Sequence, residues 1–160
     1  MVDDVLTLLS TDAQRRGILL QCELALDAPD VPADRVHLQQ VLINLVVNAI
    51  HAMSEIDDRR RLLSITSKTL SEDSNSQMAI IEIEDTGTGI DPKIANNLFT
   101  AFHTTKADGM GMGLSISRNI VESHGGSISA ASGDRWGALF KIRLPVLQQV
   151  EATAAADRSY

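Results

Sequence analysis

Residues 34–53 form the segment that constrains the fold most, because they read as one long helix that is apolar over most of its circumference. Asp34 is a good N-cap residue, and the apolar pattern that follows it continues to about Met53. A helix of this kind is suited to burial. A chain of 160 residues is long enough for one compact domain with a substantial core.

Five polar residues of this helix fall within one arc of roughly 80°, at about 100° per residue. They are His37, Gln40, Asn44, Asn48 and His51. Because an unpaired buried amide costs a few kcal/mol, such side chains need partners, water or a ligand. Two asparagines one turn apart offer carbonyl oxygens to a hard cation such as Mg²⁺ and amide groups to phosphates. A solvated edge of a surface helix explains the arc equally well.

The composition excludes several classes of partner. With 14 Lys and Arg against 21 Asp and Glu, and with five aromatic residues, the chain is a poor candidate for binding nucleic acid. No segment is expected to be apolar enough to span a bilayer, and the acidic N-terminus does not resemble a signal peptide. A cytosolic domain is therefore expected. Cys22, the single cysteine, lies in an apolar run and is predicted to be a buried thiol.

The remaining pattern predicts helices and strands that alternate without βαβ regularity, which favours an α+β fold with one sheet covered on one face by helices. Helices are predicted over about residues 2–13, 91–99 and 114–124, with Asp91 and Pro92 opening the second and Gly125-Gly126 ending the third. Strands are predicted over 17–26, 62–70, 78–84 and 138–145, with one more between the last helix and the last strand. Residues 71–77 are predicted to be a polar loop.

The sequence Glu84-Asp85-Thr86-Gly87-Thr88-Gly89 follows one of these strands directly. Its two glycines allow a sharp turn and a close approach to a ligand, and they leave Asp85 as a fixed acceptor at the strand exit. An ordinary turn explains the motif too. Asp-Thr-Gly is also the active-site triplet of aspartic proteases, and a chain this short would have to dimerise to pair two such aspartates.

A second glycine-rich motif, 109–114, precedes the helix predicted from residue 114. Alternating glycines expose backbone N–H groups, and the helix N-terminus adds partial positive charge, which together suit a phosphate. Neither a dinucleotide fingerprint nor a Walker A loop has this spacing. Lys106, beside Thr104 and Thr105, is the one obvious cation for a phosphate, although a solvated lysine is the more common fate of any single lysine.

Taken together and in this order, the motifs resemble the N, G1, F and G2 boxes of the GHKL ATP-binding fold. More specifically, they resemble the catalytic domain of bacterial sensor histidine kinases, in the FixL/NtrB-like branch. The boxes are QQVLINLVVNAIHAM, EDTGTGI, LFTAFHTTK and GMGMGLSISRNIVESHGG. The resemblance implies a two-layer α/β sandwich with a mixed sheet, the Bergerat fold. It further implies that residues 1–16 end a linker or dimerisation helix, 17–147 bind ATP, and 148–160 are a tail or linker.

The resemblance also implies a set of site residues. The nucleotide would contact Asn44, Asn48, His51, Ala52, Asp85, Gly87, Gly89, Ile90, Leu98, Thr104, Thr105, Lys106, Gly109, Met110, Gly111, Met112, Gly113 and Leu114. Catalysis would depend on Asn44, Asn48 and Lys106, with Asn48 as the Mg²⁺ ligand. Asp85 would accept a hydrogen bond from the adenine amino group, and residues 109–113 would form a lid over the phosphates.

Two positions depart from the family pattern. His51 stands where many members have a lysine, which leaves its role towards phosphate open. Ala52 stands where many members carry an aromatic residue over the adenine, so aliphatic side chains such as Ile90 or Leu98 would have to cover the base.

The implied activity is transfer of the γ-phosphate of Mg-ATP to a histidine on a separate dimerisation domain, in a kinase that is a homodimer at full length and acts on a response regulator. The gyrase-like ATP hydrolases carry an acidic residue where this chain has Asn44, so little hydrolysis is expected. The four histidines precede Leu, Ala, Thr and Gly, so none fits a phosphoacceptor motif. The alternative is a regulatory module of the same fold, such as an anti-sigma-type serine kinase or a pseudokinase. No contact with nucleic acid or membrane is expected of this cytoplasmic domain, whether or not the full-length sensor is membrane-bound.

Overall fold

The computed structural model describes residues 1–25, 29–73, 76–100, 112–134 and 136–147. Its helices are α1 (Val2–Arg15), α2 (Arg35–Ser54) and α3 (Gly113–Ser123). Its strands are β1 (Leu19–Glu23), β2 (Leu62–Asp73), β3 (Ser76–Asp85), β4 (Ser127–Ser132) and β5 (Ala138–Pro145). A 3₁₀ turn covers Ala95–Asn97.

The five strands form one mixed sheet in the order β1-β2-β3-β5-β4. β1 is parallel to β2, and the other three pairs are antiparallel. Ile65, Ile83 and Phe140 lie side by side across the three central strands and are buried. The alternation predicted for the last strand is confirmed, because Phe140, Ile142 and Leu144 all face the core. The α+β fold class predicted from the sequence is therefore correct.

Helix α2 forms the centre of the helical layer. Its buried residues are Leu38, Val41, Leu42, Leu45, Val46, Ala49, Ile50 and Met53. It packs against α1, α3 and the sheet. By length and composition alone, α2 could also cross a membrane, contrary to the expectation that no segment would qualify. Since its apolar side chains belong to the hydrophobic core of the domain, core packing accounts for their character.

The ends of the helices follow the sequence closely. Asp34 caps α2, because its Oδ1 accepts hydrogen bonds from the N–H of Val36 at 2.7 Å and of His37 at 3.0 Å. α3 ends in a Schellman motif at Gly125, whose φ is +72°. This geometry turns the chain directly into β4.

Two predictions about local structure were wrong. The polar segment 71–77 is mostly strand, since β2 and β3 pair as far as Asp73 and Ser76. Polar side chains are compatible with the pairing of β2 and β3 there, because residues 68–71 of β2 are exposed. The helix predicted over 91–99 is a turn and the short 3₁₀ turn. In this largely exposed segment the Asp91 side chain accepts the N–H of Lys93, and few apolar side chains among the described residues support a longer helix.

Cys22 is exposed rather than buried. It belongs to β1, the edge strand of the sheet, and lines an open cavity of about 840 Å³ beside Met1, Val2 and Asp3. The residues next to Cys22 in the sequence are apolar, but no helix in the described part of the chain covers this part of the sheet edge, so Cys22 is exposed. Partial burial and the nearby charge of Asp3 raise the pKa of the thiol.

Candidate functional site

The polar arc of α2 faces α3 at its centre. Asn44 is half-buried and donates from Nδ2 to the Oγ of Ser117 at 2.9 Å, and Ser117 is itself buried. Gly113, in the first turn of α3, lies directly against the Asn44 side chain. A Cβ at Gly113 would overlap Asn44 Oδ1 and approach Cγ to 3.0 Å. Two residues predicted from separate motifs therefore meet.

The other four residues of the arc are either half-buried or exposed. Asn48, one turn after Asn44, is half-buried, whereas His37, Gln40 and His51 are exposed. Asn44 is therefore partly enclosed beside α3, whereas the polar residues towards either end of the arc along the helix are exposed. Exposure agrees with the solvated-edge interpretation only there, and the His37 ring also meets the His124 ring at a centroid distance of 5.9 Å.

Asp85 lies at the end of β3 and is 2% exposed. Its Oδ1 accepts hydrogen bonds from the N–H of Gly87 at 2.7 Å and from the N–H of Ala138 at 3.3 Å. Burial raises the pKa of this carboxyl group, the two N–H donors oppose the rise, and the charge of Glu84 adds to it. The result is a rigid, buried acceptor in the place where the sequence predicted one.

The glycines around Asp85 are required by close packing. A Cβ at Gly87 would lie 2.8 Å from both the Cβ and the carbonyl carbon of Ala52, so the turn after β3 rests on the backbone of α2. Gly89 has a φ of +76°, and a Cβ there would lie 3.1 Å from the Trp136 carbonyl oxygen. Gly137 packs against Asp85 itself. Ala52 therefore lies at the site, in contact with a turn that leaves room only for a small side chain.

The apolar residues predicted for the site lie at its border. Ile90, Leu98 and Leu114 are half-buried and pack against the core, and Met112 occupies the N-cap position of α3 without a side-chain hydrogen bond. Thr104, Thr105, Lys106, Gly109, Met110 and Gly111 lie outside the described residues.

Phe99 is a site-border residue that the sequence analysis did not single out. Its ring meets the edge of the Phe140 ring at a centroid distance of 6.5 Å, and the Arg118 guanidinium lies 5.7 Å from the Phe99 centroid. These contacts hold Phe99, near the end of the segment 76–100, against β5 and α3.

Other residues at the site were also missed. Thr86 Oγ1 donates to the carbonyl of Arg60 and accepts from the N–H of Leu62, both at 2.9 Å. The Arg59 guanidinium donates to the carbonyls of Thr86 and Gly87. Ser117 could have been found, because it lies one turn after Gly113 on the same face of a predicted helix. Arg59 could not, because it belongs to the charged run DDRRR, which reads as a solvated surface.

The donor chemistry of the site fits a metal that arrives with a nucleotide. Among the described residues, no three His, Cys, Asp or Glu side chains gather closely enough to hold a metal ion. Within the polar arc of α2, Asn44 and Asn48 are the half-buried residues that carry an amide oxygen. Mg²⁺ typically keeps several waters and binds through one or two protein ligands together with substrate phosphates. The residues present are compatible with that mode of binding.

The comparisons with known proteins agree with this arrangement. A family model described as "Histidine kinase-, DNA gyrase B-, and HSP90-like ATPase" matches residues 33–148. The catalytic domain of the histidine kinase ThkA superposes with a TM-score of 0.73 at 30% identity, covering 91% of each chain. The chain therefore belongs to this ATPase family and, within it, is a catalytic ATP-binding domain of the sensor histidine kinase type.

Curated relatives point to the same class. The sensor protein FixL of Bradyrhizobium diazoefficiens is 42% identical over 137 residues, which cover 86% of this chain and 26% of the relative. The sensor protein TdiS of Thauera aromatica is 38% identical over 146 residues, which cover 91% of this chain and 26% of the relative. The chain thus spans about a quarter of the length of these relatives.

Proposed function

We propose that the chain binds Mg-ATP between α2, the turn after β3 and the start of α3, and transfers the γ-phosphate to a histidine on a dimerisation domain of the same kinase. The observation that carries the proposal is Asp85, a buried carboxylate held by two backbone donors at the end of β3. The kinase would act in the cytoplasm as a homodimer and pass the phosphate on to a response regulator, as the resemblance to sensor kinases suggests.

Asp85 would read the adenine. Both of its described hydrogen bonds go to Oδ1, and Oδ2 takes part in neither of them. A fixed carboxylate oxygen accepts from the amino group of adenine and repels the carbonyl oxygen that hypoxanthine or guanine carries at the same position. Ala52 leaves room above the base, and the half-buried Ile90 and Leu98 supply apolar surface at the border.

Asn48 and Asn44 would hold the phosphate end. Mg²⁺, when bound, would neutralise the charge that develops on the transferred phosphoryl group. The amide oxygen of Asn48 suits such a cation, and Lys106 with the glycine-rich loop 109–113 would complete the phosphate site, as the motif order implies. The contribution of the protein to phosphoryl transfer consists mainly of this positioning and charge neutralisation.

The chain would transfer phosphate rather than hydrolyse ATP. Hydrolysis needs a general base that takes a proton from water, and the amide of Asn44 is not a base. In the structure this amide is also engaged with Ser117. The test is hydrolysis by the wild type and by Asn44→Glu, with slow hydrolysis expected of the wild type. Vigorous and equal hydrolysis by both forms would contradict this part of the proposal.

The experiment that tests the site is calorimetric titration of ATP, with and without Mg²⁺, into the wild type and Asp85→Asn. We expect saturable, Mg²⁺-dependent binding to the wild type and at least a tenfold loss of affinity in the variant, which keeps an oxygen at Oδ1 but loses the carboxylate. A folded wild type that does not bind ATP would overturn the proposal.

Transfer is tested by incubating the chain with labelled ATP and a separately produced helical hairpin that carries the acceptor histidine. Acid-labile label on the hairpin is expected, and none on the chain by itself, since none of its four histidines precedes an acidic residue. Label on a serine of a partner, or on this chain alone, would contradict histidine transfer.

A further inference from the structure

We infer that Arg59 is a positioning residue that sets adenine selectivity by holding the turn after β3; this inference rests on the proposed function. Its guanidinium donates from Nε to the Thr86 carbonyl at 3.1 Å and from Nη2 to the Gly87 carbonyl at 3.0 Å. One planar group thus binds two successive carbonyls of the turn that follows Asp85.

The link to Asp85 passes through a single peptide unit. The carbonyl of Thr86 and the N–H of Gly87 belong to the same peptide bond and lie in one plane, pointing in opposite directions. Arg59 holds the carbonyl end of this unit, and the N–H end donates to Asp85 Oδ1 at 2.7 Å. The orientation of the peptide, and with it the position of the carboxylate, therefore depends on the Arg59 side chain.

The geometry requires arginine specifically. Two carbonyls on adjacent residues need two donors in a fixed fork, which a guanidinium provides and an ammonium does not. Asp58 accepts from the third nitrogen, Nη1, at 3.2 Å. The Arg59 side chain is 30% exposed, so it is partly enclosed at the turn while Asp58 stays in solvent.

Removing this contact should loosen the turn without unfolding it. The Thr86 side chain is anchored separately, to the Arg60 carbonyl and the Leu62 N–H, and Gly87 packs on Ala52. Arg59 is therefore one of several attachments of the segment, and it is the attachment that controls the tilt of the peptide unit that holds Asp85.

The experiment measures the dissociation constants of ATP and inosine triphosphate, which has a carbonyl in place of the adenine amino group. The variants are Arg59→Gln and Arg59→Lys. Arg60→Gln is the matched control, because it removes the same charge from the neighbouring residue. Arg60 is exposed, and its side chain takes part in none of the hydrogen bonds among the described residues.

We expect the wild type to bind ATP more tightly than inosine triphosphate. The ratio of the two dissociation constants should fall at least tenfold in Arg59→Gln, and Arg59→Lys should have an intermediate ratio. Arg60→Gln should keep the wild-type ratio, even if its lost charge weakens both affinities. If the wild type prefers ATP and Arg59→Gln has the same ratio of dissociation constants, the inference is overturned. If Arg59→Gln does not fold, Arg59→Lys decides in the same way. A wild type without any ATP binding or preference would contradict the proposed function instead.

Discussion

Burial of the Asp85 carboxylate disfavours its ionised form and raises its pKa, and the repulsion from Glu84 adds to this effect. For a group whose pKa is raised on folding, the contribution to the free energy of unfolding is fully present below the ordinary pKa of aspartate, about 3.9. This contribution is lost as the pH rises through the raised folded-state value. At neutral pH the ionised Asp85 carboxylate therefore lowers the stability of the domain relative to the neutral carboxyl group.

The corresponding prediction concerns Asp85→Asn. An asparagine keeps an oxygen for the N–H groups of Gly87 and Ala138 but carries no charge, so the variant should melt at the same temperature as the wild type or higher at pH 7. The advantage should shrink as the pH falls through the raised pKa of the wild-type carboxyl group and should be smallest below the ordinary value of about 3.9. Thermal denaturation across this pH range checks both points, and a variant that is less stable than the wild type at pH 7 would contradict the argument.

A second prediction at the scale of single residues concerns Gly87→Ala. The added Cβ would meet the carbonyl carbon and oxygen of Ala52 at 2.8 and 2.9 Å, and backbone atoms of a core helix cannot move aside easily. We expect a loss of about 3 kcal/mol in the free energy of unfolding, at the upper end of the range for overpacking.

Gly17→Ala is the control for Gly87→Ala. Gly17 has a φ of +66° but open space around a Cβ, so its substitution should cost only the left-handed backbone penalty of about 1 kcal/mol. Urea denaturation compares the two variants. Equal losses in the free energy of unfolding would mean that contact with Ala52 does not restrict the size of the side chain at residue 87. In Gly87→Ala, the further change Ala52→Gly should restore only part of the loss, since the backbone of residue 52 remains.

At the scale of elements, α2 depends on its N-terminus for its position as well as its stability. The Asp34 carboxylate caps the helix, and the N–H of Asp34 donates to His124 Nε2 at 3.0 Å, which ties the start of α2 to the end of α3. The hydrogen bond from the N–H of His37, more than the bond from Val36, lowers the pKa of Asp34. Both helices that border the site therefore share this anchor.

We predict that Asp34→Ala lowers the melting temperature by a few degrees at pH 7, the usual effect of losing an N-cap. Because the folded-state pKa of Asp34 is lowered, its stabilising effect is present above about pH 3.9 and is lost as the pH falls through the lower folded value. The melting curves of the wild type and the variant should thus converge in acid. Asp34→Asn, which can still cap, is the control, and a difference that persists undiminished at acid pH would contradict this account.

How far the sequence predicts an element depends on how much of its pattern comes from burial. The sequence predicts α2, α3 and β5 well, because their apolar residues face one core. It fails at residues 71–77, where residues 71 and 77 are exposed and polarity no longer distinguishes strand from loop. At the site, the glycine motifs and Asp85 were visible, since they impose their own local geometry. Arg59 was not, because its role arises from a contact with the turn 27 residues later in the chain.

At the scale of the whole molecule, α1 packs as part of the domain. Val2, Val5 and Ala13 belong to the same hydrophobic cluster as the core residues of α2. Arg61 joins the end of α1 to the segment after α2, since its Nη1 donates to the Arg16 carbonyl at 2.7 Å and its Nε to the Ile56 carbonyl at 2.8 Å. The same segment carries Arg59, so the N-terminal helix and the turn beside Asp85 are attached to one short stretch of chain.

If α1 is part of the folding unit, its buried face should contribute to the stability of the whole domain. Val5 is 3% exposed and Leu8, on the same helix, is 66% exposed. We predict that Val5→Ala lowers the free energy of unfolding by about 2 kcal/mol, from lost apolar burial and the cavity left behind, whereas Leu8→Ala changes it by less than about 0.5 kcal/mol. Urea denaturation followed by circular dichroism measures both. A single cooperative transition with this difference is expected, because the helix unfolds together with the sheet. Equal and negligible effects, or a separate early transition for α1, would mean that α1 is a detachable linker.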